Sequence, residues 1–138
     1  MSVAADAGGF SKPRVLLVED DDDARRAVAA MLAHLGMEVW QAQDAASAFE
    51  ILRDMVPNIA IVDVMMNGVP EGFDVCWKIK TTLGLHESYV VLLTGRGEPQ
   101  DLELGKERGA DLYLVKPLDL HMLAEIIGRL GLMVKTGH

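Results

Sequence analysis

The chain has 138 residues, half of them hydrophobic and a quarter charged, which predicts one globular domain with a real core and excludes a disordered chain. A net charge of −8 argues against a general binder of phosphate backbones, though not against a local basic patch. A single cysteine, Cys76, excludes an internal disulfide, and no apolar run approaches membrane-spanning length.

The first residues, MSVAADAGGFSK, lack the charged start and apolar stretch of a secretory signal, so residues 1–12 read as a loose tail of a cytoplasmic protein. Residues 15–18 (VLLV) then form a short run, apolar throughout, as expected of a strand buried on both faces. Five acids follow, Glu19 to Asp23. Ala24, Ala27/Val28, Met31 and Leu35 repeat at helical spacing, and Gly36 supplies the stop. Residues 38–42 make a weaker, edge-like strand. Ala45, Ala48/Phe49 and Leu52 mark a second helix ended by Pro57.

Residues 59–62 are the next apolar run. Phe73, Cys76, Ile79/Lys80 and Leu83 pattern a helix ended by Gly84, with Cys76 as a small buried hydrophobe. Residues 89–93 and 112–115 are two further strands of the first type. Between them 99–108 is helical, with Pro99 in its first turn and Gly109 closing it. Few apolar residues and an internal Gly105 predict that it is the least firmly held helix. The last helix carries Leu120, Leu123, Ile126/Ile127 and Leu130, with Asp119 as N-cap. Five β-α units in series predict an α/β fold with a parallel sheet covered on both faces.

In such a sheet the carboxyl ends of the strands share one edge, where these folds bind ligands. The first strand runs into Glu19 and Asp20, the third into Asp63, the fourth into Thr94 and the fifth into Lys116. Polar residues are common at strand ends, so each alone has a dull explanation. The full complement does not. Clustered carboxylates raise each other's pKa unless a cation neutralises them, and a few oxygen ligands with open positions describe a Mg²⁺ site. An Asp carboxylate can attack phosphorus to give an acyl phosphate, with Lys116 and Thr94 supplying charge and a donor to the phosphoryl oxygens.

The motifs VLLVEDD (15–21), IVDVMM (61–66), VLLTG (91–95) and GADLYLVKP (109–117) together resemble the receiver domain of two-component response regulators, over about residues 14–133. The resemblance implies a flavodoxin-like, doubly wound five-stranded sheet in the order 2-1-3-4-5 with five helices, an arrangement illustrated by the chemotaxis receiver. It implies Asp63 as phosphoacceptor, Asp20 as a Mg²⁺ ligand, Glu19 as an indirect one acting through water, and the Met65 backbone carbonyl as a further ligand. Thr94 and Tyr113 become the switch pair, Lys116 the partner of the phosphoryl group, and the Lys116–Pro117 bond is expected to be cis. Of the acidic run, Glu19 and Asp20 then belong to the site, Asp22 and Asp23 cap the next helix, and Asp21 stays unassigned.

The implied partners are a histidine kinase or histidine phosphotransfer protein and an unknown downstream protein, with no direct nucleic-acid contact and no membrane. The implied signal is a change in the surface of the fourth helix, fifth strand and fifth helix. The domain spans 13–133 with a short tail over 134–138, either free-standing or part of a longer regulator. Two departures stand beside the site. Asn67 follows Met66 where the family usually has Met-Pro, and the loop NGVPEG is one residue longer, with Glu71-Gly72 for Asp-Gly. Met65 and Arg96 flank the phosphoryl position, where variation sets the lifetime of the phosphorylated state.

Rival chemistries fit less well. A haloacid-dehalogenase-type phosphatase could start at Asp20-Asp21-Asp22, but Ala24 stands where Thr or Val is needed, only Asp119 and Glu125 follow Lys116, and Asp63 has no role. Nucleotide loops at Gly95-x-Gly97 and Gly105-Lys106 lack their remaining glycines. His34, His86, His121 and His138 are too scattered for zinc.

Overall fold

The computed structural model describes residues 12–82, 87–95, 97–117 and 119–136. The expectations placed on Leu83, Gly84, His86, Arg96, His138 and the tail before residue 12 lie outside these residues. The strands are β1 (Arg14–Val18), β2 (Glu38–Ala42), β3 (Ile59–Asp63), β4 (Tyr89–Thr94) and β5 (Leu112–Val115). All pair in parallel, in the order β2-β1-β3-β4-β5. The helices are α1 (Asp22–His34), α2 (Ala45–Leu52), α3 (Gly72–Trp77), α4 (Pro99–Glu107) and α5 (Leu120–Thr136). This is the doubly wound, flavodoxin-like fold that the sequence motifs imply.

Side-chain alternation splits the core in two. Leu16, Val18, Ala60, Val62, Val90 and Leu92 face a cluster with α2, α3 and the apolar side of α4. Val15, Leu17, Ile59, Ile61, Val91 and Leu93 face α1 and α5. The three inner strands are buried on both sides, as their unbroken apolar runs require. β5 is a correction. It matched the same pattern, yet it is the outer strand and none of its four residues is fully buried. An apolar run records that a strand is covered somewhere, and its place in the sheet decides how completely.

Three helices also depart from expectation. The buried stripe of α1 is Ala29 and Leu32, with Val28 and Met31 partly covered, while Ala27 and Leu35 are exposed. α1 packs against β1, β2 and α5, and its buried stripe lies about one position along from the expected one. The third helix keeps Phe73, Cys76 and Ile79 buried, but its α-helical part ends at Trp77. The backbone then widens to i→i+5 hydrogen bonding over Lys78–Thr82. There the Thr81 hydroxyl donates to the Trp77 carbonyl four residues back (2.5 Å), a bond that competes with the regular ladder. Finally, α5 continues to Thr136, into the stretch expected to be a tail.

Candidate functional site

The acidic run divides differently from expectation. The N-cap of α1 is Asp21, whose side chain accepts from the Ala24 amide at 3.0 Å. Asp22 and Asp23 lie inside the first turn, where they favour the helix dipole, and Asp22 pairs with Arg25 at 2.7 Å. Adjacent acids look alike in sequence, and only the backbone conformation where the helix begins selects the cap. Asp119 does accept from the Met122 amide at 2.7 Å, as a cap before α5 should.

Glu19, Asp20 and Asp63 bring one carboxylate oxygen each to within 4.8 Å of one another. Register explains the meeting: β1 and β3 are neighbours and Val18 pairs with Val62, so both strands end at the same level. Glu19 and Asp63 are buried and Asp20 is half-buried. The Lys116 ammonium lies 3.2 Å from Glu19 Oε1 and 3.2 Å from Asp63 Oδ2, bridging the two buried acids. The Lys116–Pro117 peptide that follows β5 is cis.

The electrostatics follow from burial. Glu19 is pushed up to about 7, first by desolvation and then by its contact with Asp63; Lys116 offsets only the smallest part. Burial pushes the Lys116 ammonium down, but the Asp63 and Glu19 charges outweigh it and its pKa lies above the usual lysine value. Asp20 is held below the ordinary carboxylate range, chiefly by a hydrogen bond from the Asn67 backbone amide. One lysine therefore leaves the two buried acids short of neutralisation. Oxygen donors in such a setting suit a small, hard divalent cation.

Thr94 ends β4 and is fully buried. Tyr113 stands opposite Leu92 in the β4–β5 register, and Thr94, two residues on from Leu92, shares that face of the sheet. The expected switch residues thus occupy one face of adjacent strands. Met65 sits half-buried two residues beyond Asp63.

Several supporting groups escaped the sequence reading. Arg25 reaches back from α1 to donate from Nη1 to the Glu19 carbonyl at 2.9 Å, and the Asp21 amide donates to Glu19 Oε2 at 3.2 Å. Gly72 starts α3 directly against β3. Its amide donates to the Val64 carbonyl at 2.9 Å, and a Cβ there would strike the Asp63 carbonyl oxygen and stand 2.6 Å from Val64 Cα. Gly105, in the last turn of α4, faces the Tyr113 ring, where a Cβ would lie 2.6 Å from Cδ2. The Asn67 amide donates to Asp20 Oδ2 at 2.9 Å. The sequence drew notice to Gly105, to Glu71-Gly72 and to Asn67, but of their contacts it signals only the turn, through the Asn-Gly pair that marks a tight hairpin.

Residues 15–128 match the family model of the response regulator receiver domain. The transcriptional regulatory protein AfsQ1 of Streptomyces coelicolor is 38% identical over 111 residues, covering 80% of this chain and 48% of AfsQ1. The chain thus spans about half the length of that relative. Among solved structures, a CheY-like receiver domain protein from Methanospirillum hungatei shares the fold with a TM-score of 0.83 at 22% identity, over 93% of this chain and all of that one. The chemotaxis response regulator CheY4 of Vibrio cholerae superposes with a TM-score of 0.78 at 27% identity, over 87% and 99% of the two chains. With its strand-end acids and lysine drawn together and the family model matched from β1 into α5, the chain belongs to the receiver domains of two-component response regulators.

Proposed function

We propose that residues 13–133 are a phosphorylation switch in which Asp63 takes a phosphoryl group from a histidine kinase or histidine phosphotransfer protein. The observation that carries this is the bridge from Lys116 to both Glu19 and Asp63 beside Asp20. Asp20, Asp63 and the Met65 carbonyl would hold Mg²⁺ directly, with Glu19 acting through water. The bound ion would supply positive charge against the incoming phosphoryl oxygens.

The Asp63 carboxylate attacks phosphorus in line, the bond to the donor histidine breaks, and the imidazole leaves with the electron pair. Lys116 offsets negative charge on the phosphoryl oxygens, and the Thr94 hydroxyl turns toward them. Tyr113 follows into the space so opened, and the surface of α4, β5 and α5 changes for a downstream protein. The exposure of β5 and the thin apolar side of α4 support a movable output face. On this reading the protein is a cytoplasmic signalling domain that catalyses only its own phosphorylation and dephosphorylation. The expectation of no direct nucleic-acid contact is not carried into the proposal, since a relative of 38% identity is named a transcriptional regulatory protein.

The deciding experiment labels the protein with a small phosphodonor plus Mg²⁺. Native protein takes up one acid-stable, base-labile phosphoryl group, and Asp63→Asn takes up none. Equal labelling of the two would remove Asp63 from its role.

A further inference from the structure

Asn67 is where the site loop leaves the family pattern, and its backbone shows what that change accomplishes. Asn67 and Gly68 have φ of 56° and 75°. The Met66 amide donates to the Val69 carbonyl at 2.8 Å, and the Val69 amide returns a bond to the Met66 carbonyl at 3.0 Å. Two left-handed residues between a reciprocally bonded pair make a tight hairpin turn of the primed type. The turn's own hydrogen bonds use the amides of Met66 and Val69, so the Asn67 N–H is left to point outward. It meets Asp20 Oδ2 at 2.9 Å, across 47 positions of sequence.

Proline at this position could do neither thing. It has no N–H, and its ring fixes φ near about −65°. The donor to Asp20 therefore exists only because the chain departs from Met-Pro here. Asp20 has particular need of it. Glu19 and Asp63 are buried and share Lys116, whereas among the described residues no lysine or arginine lies within salt-bridge range of Asp20. Asp20 also meets the Glu19 side chain and its own backbone amide, but the Asn67 amide is the strongest hold on its charged form. A bland alternative is that the bond merely tethers an exposed loop, with Asp20 as a passive acceptor.

We propose that the Asn67 backbone amide is a positioning group that holds the Asp20 carboxylate beside Glu19 and Asp63, and so strengthens binding of a divalent cation by this acidic cluster. One carboxylate oxygen carries the amide, and remaining lone pairs stay open to the cation. The inference rests on the reading of the cluster as a Mg²⁺ site.

The test titrates Mg²⁺ into the full chain by calorimetry, without any phosphodonor. Asn67→Pro, which removes the N–H, is expected to weaken Mg²⁺ binding about fivefold or more. Asn67→Gly, which keeps both the N–H and the left-handed backbone, should stay within about twofold of native. Native affinity in Asn67→Pro, or an equal loss in Asn67→Gly, overturns the proposal. A second measurement avoids any misfolding of the proline variant. Hydrogen exchange at the Asn67 amide should quicken about tenfold in Asp20→Ala, and an unchanged rate also overturns it. If native protein binds no Mg²⁺, the metal reading and this proposal fall together. If it binds Mg²⁺ normally but Asn67→Pro does too, only this proposal falls.

Discussion

Two glycines flank the site, and the atoms they face separate its rigid side from its yielding one. Gly72 faces main chain: the Asp63 carbonyl and Val64 Cα. Gly105 faces a side chain, the Tyr113 ring, with Leu92 Cδ1 at 3.5 Å from the position a Cβ would take. Backbone within an inner, fully buried strand has nowhere to move. An aromatic ring on a half-exposed outer strand can turn about its χ angles. The acceptor side is thus locked by main-chain packing, whereas on the switch side the close approach at Gly105 is to a side-chain ring. The lesson is that a glycine inside regular structure states a space requirement, and the atom it admits tells whether the requirement is absolute.

Substitution at each glycine breaks or sharpens that contrast. Gly72→Ala should have the largest effect, about 3 kcal/mol of lost stability by urea denaturation, because β3 and α3 must separate to admit the methyl group. The same variant should lose phosphorylation, since Asp63 lies at the point forced apart. A loss below about 1 kcal/mol would show that the acceptor side yields after all.

Gly105→Ala should cost less, about 1 kcal/mol, with the ring absorbing the clash. The sharper form of the test is a cycle. In a Tyr113→Ala background the same change should turn stabilising, since alanine suits a helix interior better than glycine by about 1 kcal/mol. Additive effects in the two backgrounds would mean that the ring is not what Gly105 accommodates.

The smallest effect concerns pH. Glu19 is raised from 4.5 to about 7, so its contribution to stability is complete below its unfolded pKa and is lost as pH rises through about 7. Asp20 behaves oppositely. Its pKa is lowered, so its contribution is present above 3.8 and is lost as pH falls through the lower folded value. With metal chelated, the native Tm should decline by a few degrees between about pH 6 and pH 8, and Glu19→Gln should flatten that decline. Parallel curves would show that burial of Glu19 carries no such cost.

Some of this was plain in the sequence. Four apolar runs and the weaker, edge-like Glu38–Ala42 marked the five strands, and for the three inner ones burial on two faces leaves a pattern that needs no partner to be read. Glu19, Asp20, Asp63, Thr94 and Lys116 could be placed at one rim because parallel β-α units put every strand's carboxyl end on the same side. The Asp21 cap, the widened Lys78–Thr82 turn and the incomplete burial of β5 could not be seen. Each depends on a backbone angle, a hydrogen bond or a neighbour that sequence periodicity does not encode.

By itself, then, the sequence determined which elements form, how they alternate and which charged groups end the inner strands, since these follow from local propensity and side-chain polarity. Only the tertiary structure decided that Lys116 bridges Glu19 and Asp63, that Asn67 reaches Asp20, and that Gly72 and Gly105 admit a strand backbone and a ring. The physical reason is that such contacts join residues on different elements through geometry at the scale of one hydrogen bond or one methyl group. That scale is set by how the layers pack.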